Sequence, residues 1–397
     1  MSRRIVVVGG GVVGASLAAS LIERAGLAVT VLERGPRDRL VGSTGHAPGF
    51  VGLLGEAPVA TELARASAAC YERLEHGGRA GFDRVGGLEV AYTPAAMSDL
   101  ERRAALADGA DLGARVLDPA QAVALAPGLV DPERCVGGVL YPQDGTARAG
   151  VITAALKDRA ARAGVEFRYD APVTAIDTRA GRVIAVRTGA QTLPADDVVL
   201  ACGVWGPAVA ALAGQQMPLT PVAHPYVYGP PHDTPPPRSP FVRWPEHHVY
   251  ARDHGDRLGL GTYDHTPLPV AVDQLGTDAE QPWPAEPFDA AVRRALDLLP
   301  ARRRFTAQRR LNGVFSMTAD NLPLLGAVDE VSGLWMAEAL WVTHAAGAAR
   351  SLARLMTGAT PGIDGLDALR PGRFDGRRPD ELMDRALRLY GYIYATA

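Results

Sequence analysis

Ile5-Val6-Val7-Val8-Gly9-Gly10-Gly11-Val12-Val13-Gly14 is the stretch on which the fold of this chain turns. The β-branched run Ile5 to Val8 has the texture of a parallel strand buried on both faces. Gly9, Gly11 and Gly14 then fit G-x-G-x-x-G, and Ala15 to Ala25 reads as the helix that follows. Ala28 to Leu32 is a second apolar strand. It ends in Glu33, close to the acid expected about 20 positions beyond the glycines. Gly9 permits the tight turn, Gly11 lets the backbone approach a pyrophosphate, and Gly14 lets helix and strand pack. The helix N-terminus stabilises phosphate charge, Val12 and Val13 before it are counted with the cofactor site, and Glu33, with Arg34 beside it, is placed to accept hydrogen bonds from ribose hydroxyls. The unit predicts an adenine dinucleotide without separating FAD from NAD. A secretory signal would also begin with arginines and an apolar run, but it explains neither Glu33 nor the glycine spacing.

Outward from this motif, the composition bounds the rest. The chain has 397 residues, 47% hydrophobic and 21% charged, so disorder is excluded as its general state and two or three domains are expected. Gly (44) and Pro (31) are abundant but follow no G-X-Y period, which excludes collagen. The net charge of −3 comes with no basic stripe, so nucleic acid is not expected as a partner. Lys157 is the sole lysine among 41 cationic residues, a bias in arginine usage with no chemistry attached. Cys70, Cys135 and Cys202 are odd in number and far apart, which argues against a disulfide framework or a CxxC metal site. A reduced, cytoplasmic setting without a membrane span is therefore expected.

After Gly35 comes Gly42-Ser43-Thr44-Gly45-His46-Ala47-Pro48-Gly49-Phe50, a loop of small residues suited to lie against a flat ligand. Ala149 to Ala163 reads as a helix and Val165 to Tyr169 as a short strand. Val173 to Ala175 and Val183 to Thr188 flank the turn at Ala180-Gly181-Arg182 as a hairpin. Asp196 to Gly203 is a further strand, followed by Val204-Trp205-Gly206; Cys202 there reads as a packing residue, not a nucleophile. Residues 216–315 are dense in proline and aromatics, and six of the nine histidines fall between His224 and His265. His247, His248, His254 and His265 match no usual ligand spacing, so no metal is expected. Pro230-Pro231 and Pro235-Pro236-Pro237 predict an exposed loop. Gly333 to Glu338 is a last sheet strand, with Thr343 the expected N-cap of a helix from His344 to Met356.

The loop at 42–49 resembles the covalent-flavin loop of the dimethylglycine oxidase and sarcosine/dimethylglycine dehydrogenase family, within the D-amino-acid-oxidase-like flavoproteins. Similar to that family are also Val85 to Ala91, Val222 to Val227, His254 to Arg257, Gly261 to Tyr263, Asn312 to Ser316 and Ala337 to His344. The resemblance implies an α/β fold, with a Rossmann-type FAD-binding domain interleaved with a β-rich α+β substrate domain. The expected limits are 1–85 with 140–215 and 316–366 for the first, 86–139 with 216–315 for the second, and a tail over 367–397. It implies FAD bonded through His46, with Ser43, Thr44, Gly45 and Phe50 along the isoalloxazine. Val173, Trp205, Trp341, Val342, Thr343 and His344 complete the cofactor site. The position before the histidine is Gly45 here, where relatives often carry a larger residue.

By the same resemblance, His224 and Tyr263 are the catalytic pair, orienting a small amine and managing its proton. From the residues alone they are equally a satisfied strand histidine and a core aromatic. Arg252 and Arg257 are candidates for gripping a substrate carboxylate. The implied reaction is oxidation of an N-methylated glycine-like amine, with formaldehyde released and electrons passed to O2 or a carrier. Long relatives continue into a folate-binding half; this sequence stops at Ala397, after a tail from Arg370 that resembles the linker before it. Free formaldehyde or a separate folate-binding partner is therefore expected, and the amine itself stays open. Three other readings remain: a nicotinamide-dependent dehydrogenase, a non-catalytic flavoprotein subunit, and an amino-acid oxidase acting at the α carbon.

Overall fold

The computed structural model describes residues 2–234 and 237–393, and the counts below are of these residues. The opening run forms the strand Arg3–Val8, and its four apolar side chains are all buried. They alternate, as a strand requires. Ile5 and Val7 join a core shared with helices, and Val6 and Val8 join a second core on the opposite face. Leu27–Leu32 and Asp197–Leu200 flank this strand in parallel, Val7 standing opposite Val31 and Val199. Glu166–Arg168 and Leu334–Glu338 extend the parallel sheet, and Leu324–Ala327 closes it as an antiparallel edge. The helices Val12–Leu21, Pro58–Tyr71, Ala149–Arg162 and Ala345–Met356 contribute to the first core. The second core takes in the three-stranded sheet Val173–Arg179, Arg182–Thr188 and Thr192–Pro194. Its hairpin turns at Ala180 and Gly181, both at positive φ, the backbone of a two-residue turn that follows strand twist.

A nine-stranded mixed sheet stands beside the first. Its centre is the long strand Thr220–Pro231, which pairs with Arg309–Met317 on one side and Arg257–Thr262 on the other. Gly259 and Gly261 alternate on the latter strand. A Cβ at Gly261 would stand 2.4 Å from the Tyr250 hydroxyl, and one at Gly259 would stand 2.3 Å from that of Tyr226. The glycines are thus what lets two tyrosines lie flat across the sheet. Pro230 and Pro231, expected in a loop, end the long strand with exposed side chains. Pro235 and Pro236 lie outside the described residues. The first helix begins at Val12, earlier than expected, because Gly11 already takes the N-cap position. No helix among the described residues is long and apolar enough to cross a membrane.

Candidate active site

Between the two sheets runs a cavity of about 1180 Å³, reaching from the glycine motif to the aromatic centre of the second sheet. At one end Gly9 has φ +107°, and a Cβ there would stand 2.1 Å from the Ala201 carbonyl oxygen. Gly11 caps the first helix with no side-chain hydrogen bond, and a Cβ on it would meet Thr44 Oγ1 at 2.9 Å. Gly14 does not line the cavity. Its Cβ would fall 1.9 Å from Gly9 O, so its role is to let the helix sit on the turn. The result is a cradle of bare backbone at a helix N-terminus, which suits a pyrophosphate. Glu33 lines the cavity as well and holds the turn: its carboxylate accepts from Gly10 N and Gly35 N, each at 2.7 Å. Arg34 lies 4.4 Å above the Trp205 ring, and both line the cavity together with Val12, Val13 and Val173.

The 42–49 loop contains a single helical turn, Ser43–His46. Ser43 Oγ donates to Val314 O at 2.9 Å, and Thr44 Oγ1 accepts from Val12 N at 3.1 Å. These bonds tie the loop to the first helix and to the second sheet at once. Gly45 lies off the cavity, and a Cβ on it would stand 2.1 Å from Leu40 O; the path of this loop accounts for the small residue. His46 lines the cavity with its side chain 10% exposed. Its Nε2 lies 3.4 Å from Asp278, while its buried Nδ1 has no hydrogen-bond partner among the described residues. Burial lowers its pKa despite Asp278 and Glu280, which favours the neutral, nucleophilic imidazole.

Phe50, Trp341, Val342, Thr343 and His344 also face the cavity. Thr343 is not the N-cap expected of it. His344 occupies that position without a side-chain bond, and Thr343 Oγ1 donates to Phe50 O at 3.2 Å. The threonine therefore joins the loop strand to the start of the helix Ala345–Met356. Tyr71, buried, donates to Val342 O at 2.8 Å and fixes the same junction from below. Glu338 ends the strand leading here. Its Oε1 accepts from Cys202 N at 2.5 Å, and burial raises its pKa to about 8.

The other end of the cavity is an aromatic box. His224, 3% exposed, lies 4.5 Å from the Tyr263 ring and 4.8 Å from Phe315, and all three line the cavity. The pair expected from sequence is thus brought together. Two further partners were not foreseen: Tyr250 Oη stands 2.6 Å from His224 Nε2, and Tyr390 Oη stands 2.6 Å from Nδ1. Tyr390 belongs to the helix Pro379–Gly391, within the segment expected as a linker-like tail; that segment packs against the long central strand instead. The signal for Tyr250 was the glycine alternation at 259 and 261. For Tyr390 the sequence carries none, since only folding brings it to His224.

Arg252 and Arg257 do not reach the cavity. Arg252 is buried and donates to Pro48 O at 2.9 Å, and Arg257 pairs with Asp256 at 2.9 Å. The arginines that line the cavity beyond Arg34 are Arg103 and Arg243, which share the buried carboxylate of Glu89. The clustered histidines disperse into separate bonds: His232 to Asp253, His254 to Tyr226, and His265 to Tyr390.

Buried neutral histidines make stability depend on pH. Burial holds His224 well below its ordinary pKa, and burial with Arg252, Arg257 and Arg148 pushes His254 down to about 3. Below about pH 6.5 the unfolded chain takes up protons that these two refuse in the native state. Their contribution is whole above that pH and is lost as pH falls, by about 1.4 kcal/mol per unit for each. Glu338 and Asp144, whose pKa values burial raises to about 8 and about 7, shift stability in the opposite sense, so the histidine contribution is read against a variant. In urea melts His254→Gln should lose less stability than the wild type between pH 7.5 and pH 5; equal losses would contradict the assignment.

The FAD-dependent oxidoreductase family (DAO) matches residues 4–355, and the chain belongs to it. Among its curated relatives, 4-methylaminobutanoate oxidase (formaldehyde-forming) of Paenarthrobacter nicotinovorans is 30% identical over 401 residues, covering 99% of this chain and 48% of that one. Human mitochondrial dimethylglycine dehydrogenase is 26% identical over 93% of this chain and 44% of its own. The chain thus spans less than half the length of these two relatives. Among solved structures, glycine oxidase from Geobacillus kaustophilus superposes with a TM-score of 0.79 at 25% identity, covering 94% of this chain and all of that one. L-proline dehydrogenase from P. horikoshii shares the fold, with a TM-score of 0.81 at 20% identity over 94% of this chain and 98% of its own. Its homologues are FAD-dependent amine and amino-acid oxidoreductases.

Proposed function

We propose that this chain oxidises an N-methylated, amino-acid-like small amine with FAD, releasing formaldehyde and the demethylated amine. The observation that carries it is the one cavity joining a phosphate-type cradle to an aromatic box around His224. The residues fit the cofactor: bare glycine backbone at a helix start, a carboxylate on the turn, and, on the cavity-lining His46, a buried nitrogen without a hydrogen-bond partner among the described residues. When bound, FAD supplies the acceptor for a hydride equivalent from the carbon next to nitrogen and passes the electrons on to O2 or a carrier.

What the chain itself contributes is position, dryness and proton handling. Phe50, Phe315, Trp341 and Tyr263 exclude water from the amine, and His224 and Tyr263 orient it and manage its proton. The resulting iminium adds water, and the C–N bond breaks to give formaldehyde. His46, neutral and with Nδ1 unpartnered, is the proposed point of covalent attachment, with Ser43, Thr44 and Phe50 along the ring. The cofactor residues and domain limits of the sequence reading are part of this proposal; membership of Gly87–Ala91 and Thr220–Pro231 in the second sheet supports the division. So is a reduced, cytoplasmic setting, which the three free cysteines support.

Two measurements test it. Anaerobic addition of a panel of N-methyl amino acids should bleach the yellow holoenzyme with at least one of them, and formaldehyde should form under air. Failure of every amine to bleach it, or ammonia as the product, would overturn the reaction. Acid-precipitated protein should stay yellow and His46→Ala precipitate should be colourless. A colourless wild-type precipitate would remove the covalent link.

A further inference from the structure

The hydrogen bonds around His224 have a single consistent direction. Start at the outer end. His265 Nδ1 lies 2.9 Å from Thr266 O, in an exposed contact. A carbonyl oxygen only accepts, so Nδ1 carries the proton, and Nε2 of the neutral ring is an acceptor. Tyr390 Oη lies 3.0 Å from that Nε2 and 3.1 Å from the Ala223 carbonyl oxygen, both acceptors, so its one proton goes to one of these two. Having one proton, Tyr390 must accept from His224 Nδ1 at 2.6 Å. His224 is then the Nδ1–H tautomer, and its Nε2 accepts from Tyr250 at 2.6 Å. Tyr250 lines the cavity; His265 reaches solvent; Tyr390 between them is fully buried.

Resting on the amine-oxidation reading, we propose that Tyr250, His224, Tyr390 and His265 form a proton wire carrying the substrate ammonium proton from the cavity to solvent, with Tyr390 of the C-terminal helix as its essential link. The amine lone pair must be free before hydride can leave the neighbouring carbon, so this proton has to go somewhere. It passes to Tyr250 Oη. The Tyr250 proton moves to His224 Nε2, the Nδ1 proton to Tyr390 Oη, and the Tyr390 proton to His265 Nε2. His265 Nδ1 then releases its proton to water. One proton leaves the cavity, every atom regains its valence, and no oxidant is involved. The Ala223 carbonyl, 3.1 Å from Tyr390 Oη, is a second acceptor for the same hydroxyl.

Tyr226 packs on Tyr250, with ring centroids 5.9 Å apart. Tyr250, Tyr263, Phe315 and Tyr390 surround His224 from four elements. The charged neighbour of His265 is Asp264, held by Arg294 at 2.6 Å. The C-terminal helix is therefore more than packing: it supplies the residue that fixes the tautomer of His224.

Nitrogen-15 NMR of histidine-labelled holoenzyme should show His224 neutral with the proton on Nδ1, and Tyr390→Phe should abolish that preference. In stopped flow, Tyr390→Phe and His265→Ala should each slow flavin reduction by roughly 10- to 100-fold with amine affinity unchanged, and added imidazole should restore His265→Ala. A mixed or Nε2–H tautomer in the wild type overturns the wire. So do wild-type reduction rates in both variants, or a His265→Ala loss that imidazole does not repair. If no amine bleaches the wild type, the proposed reaction falls, while the NMR tautomer still decides the hydrogen-bond direction.

Discussion

Gly9→Ala should give a colourless protein destabilised by about 3 kcal/mol, the sum of a strained backbone and an overlap that cannot relax. Gly9 has φ +107°, a region that L side chains rarely adopt, and the added methyl would stand 2.1 Å from Ala201 O. That oxygen belongs to the end of the neighbouring parallel strand, so relief requires separating Arg3–Val8 from Asp197–Leu200 where the cofactor cradle is built. Gly26→Ala is the control. It has φ +79° but open space around a Cβ, and its cost should stay near 1 kcal/mol. Urea melts and the flavin absorbance of the purified proteins read both effects. Equal stability losses in the two variants would show that the contact with Ala201 is not what demands glycine.

Glu89→Ala should cost about 3 kcal/mol, because it removes the buried carboxylate on which two partly buried guanidinium groups converge. Glu89 is 1% exposed and accepts from Arg103 Nε and Nη2 at 2.9 and 3.0 Å, and from the Tyr141 hydroxyl at 3.1 Å. Arg243 Nη1 stands 3.8 Å away. Burial would raise the pKa of this acid, but Arg103 and Arg243 hold it below the usual carboxylate value. Nearby Asp144 makes the contrast: burial dominates there and raises it to about 7. Glu89→Gln keeps an acceptor and should lose less than Glu89→Ala. A loss under about 1 kcal/mol in Glu89→Ala would place the pair among weak surface bridges.

These arginines illustrate where sequence reasoning reached its limit. With 41 cationic residues in the chain, nothing in spacing distinguishes Arg103 and Arg243, which line the cavity, from Arg252 and Arg257, which were favoured and lie off it. Arg252 instead binds the backbone of the 42–49 loop through Pro48 O, a bond across 204 positions of chain. Thr343 fails for a related reason. Local pattern makes it an N-cap, but its hydroxyl finds Phe50 O, which arrives from a distant strand.

What the sequence determined by itself is the first sheet and its cradle. Ile5 to Val8, the three spaced glycines and Glu33 form one local pattern: alternation for the strand, glycine spacing for the turn, a helix start for negative charge. The contact that makes Gly9 indispensable, with Ala201 O, comes from far along the chain. The hairpin at Ala180 and Gly181 was legible on the same ground. The loop at 42–50 was legible as a unit, including His46. Tertiary structure alone decided what surrounds His224. Its ring bonds Tyr250 and Tyr390, 26 and 166 positions away, from a neighbouring strand and from the C-terminal helix. Hydrogen-bond partners across a sheet are chosen by register and packing, which depend on every side chain in the core, so no local pattern could name them.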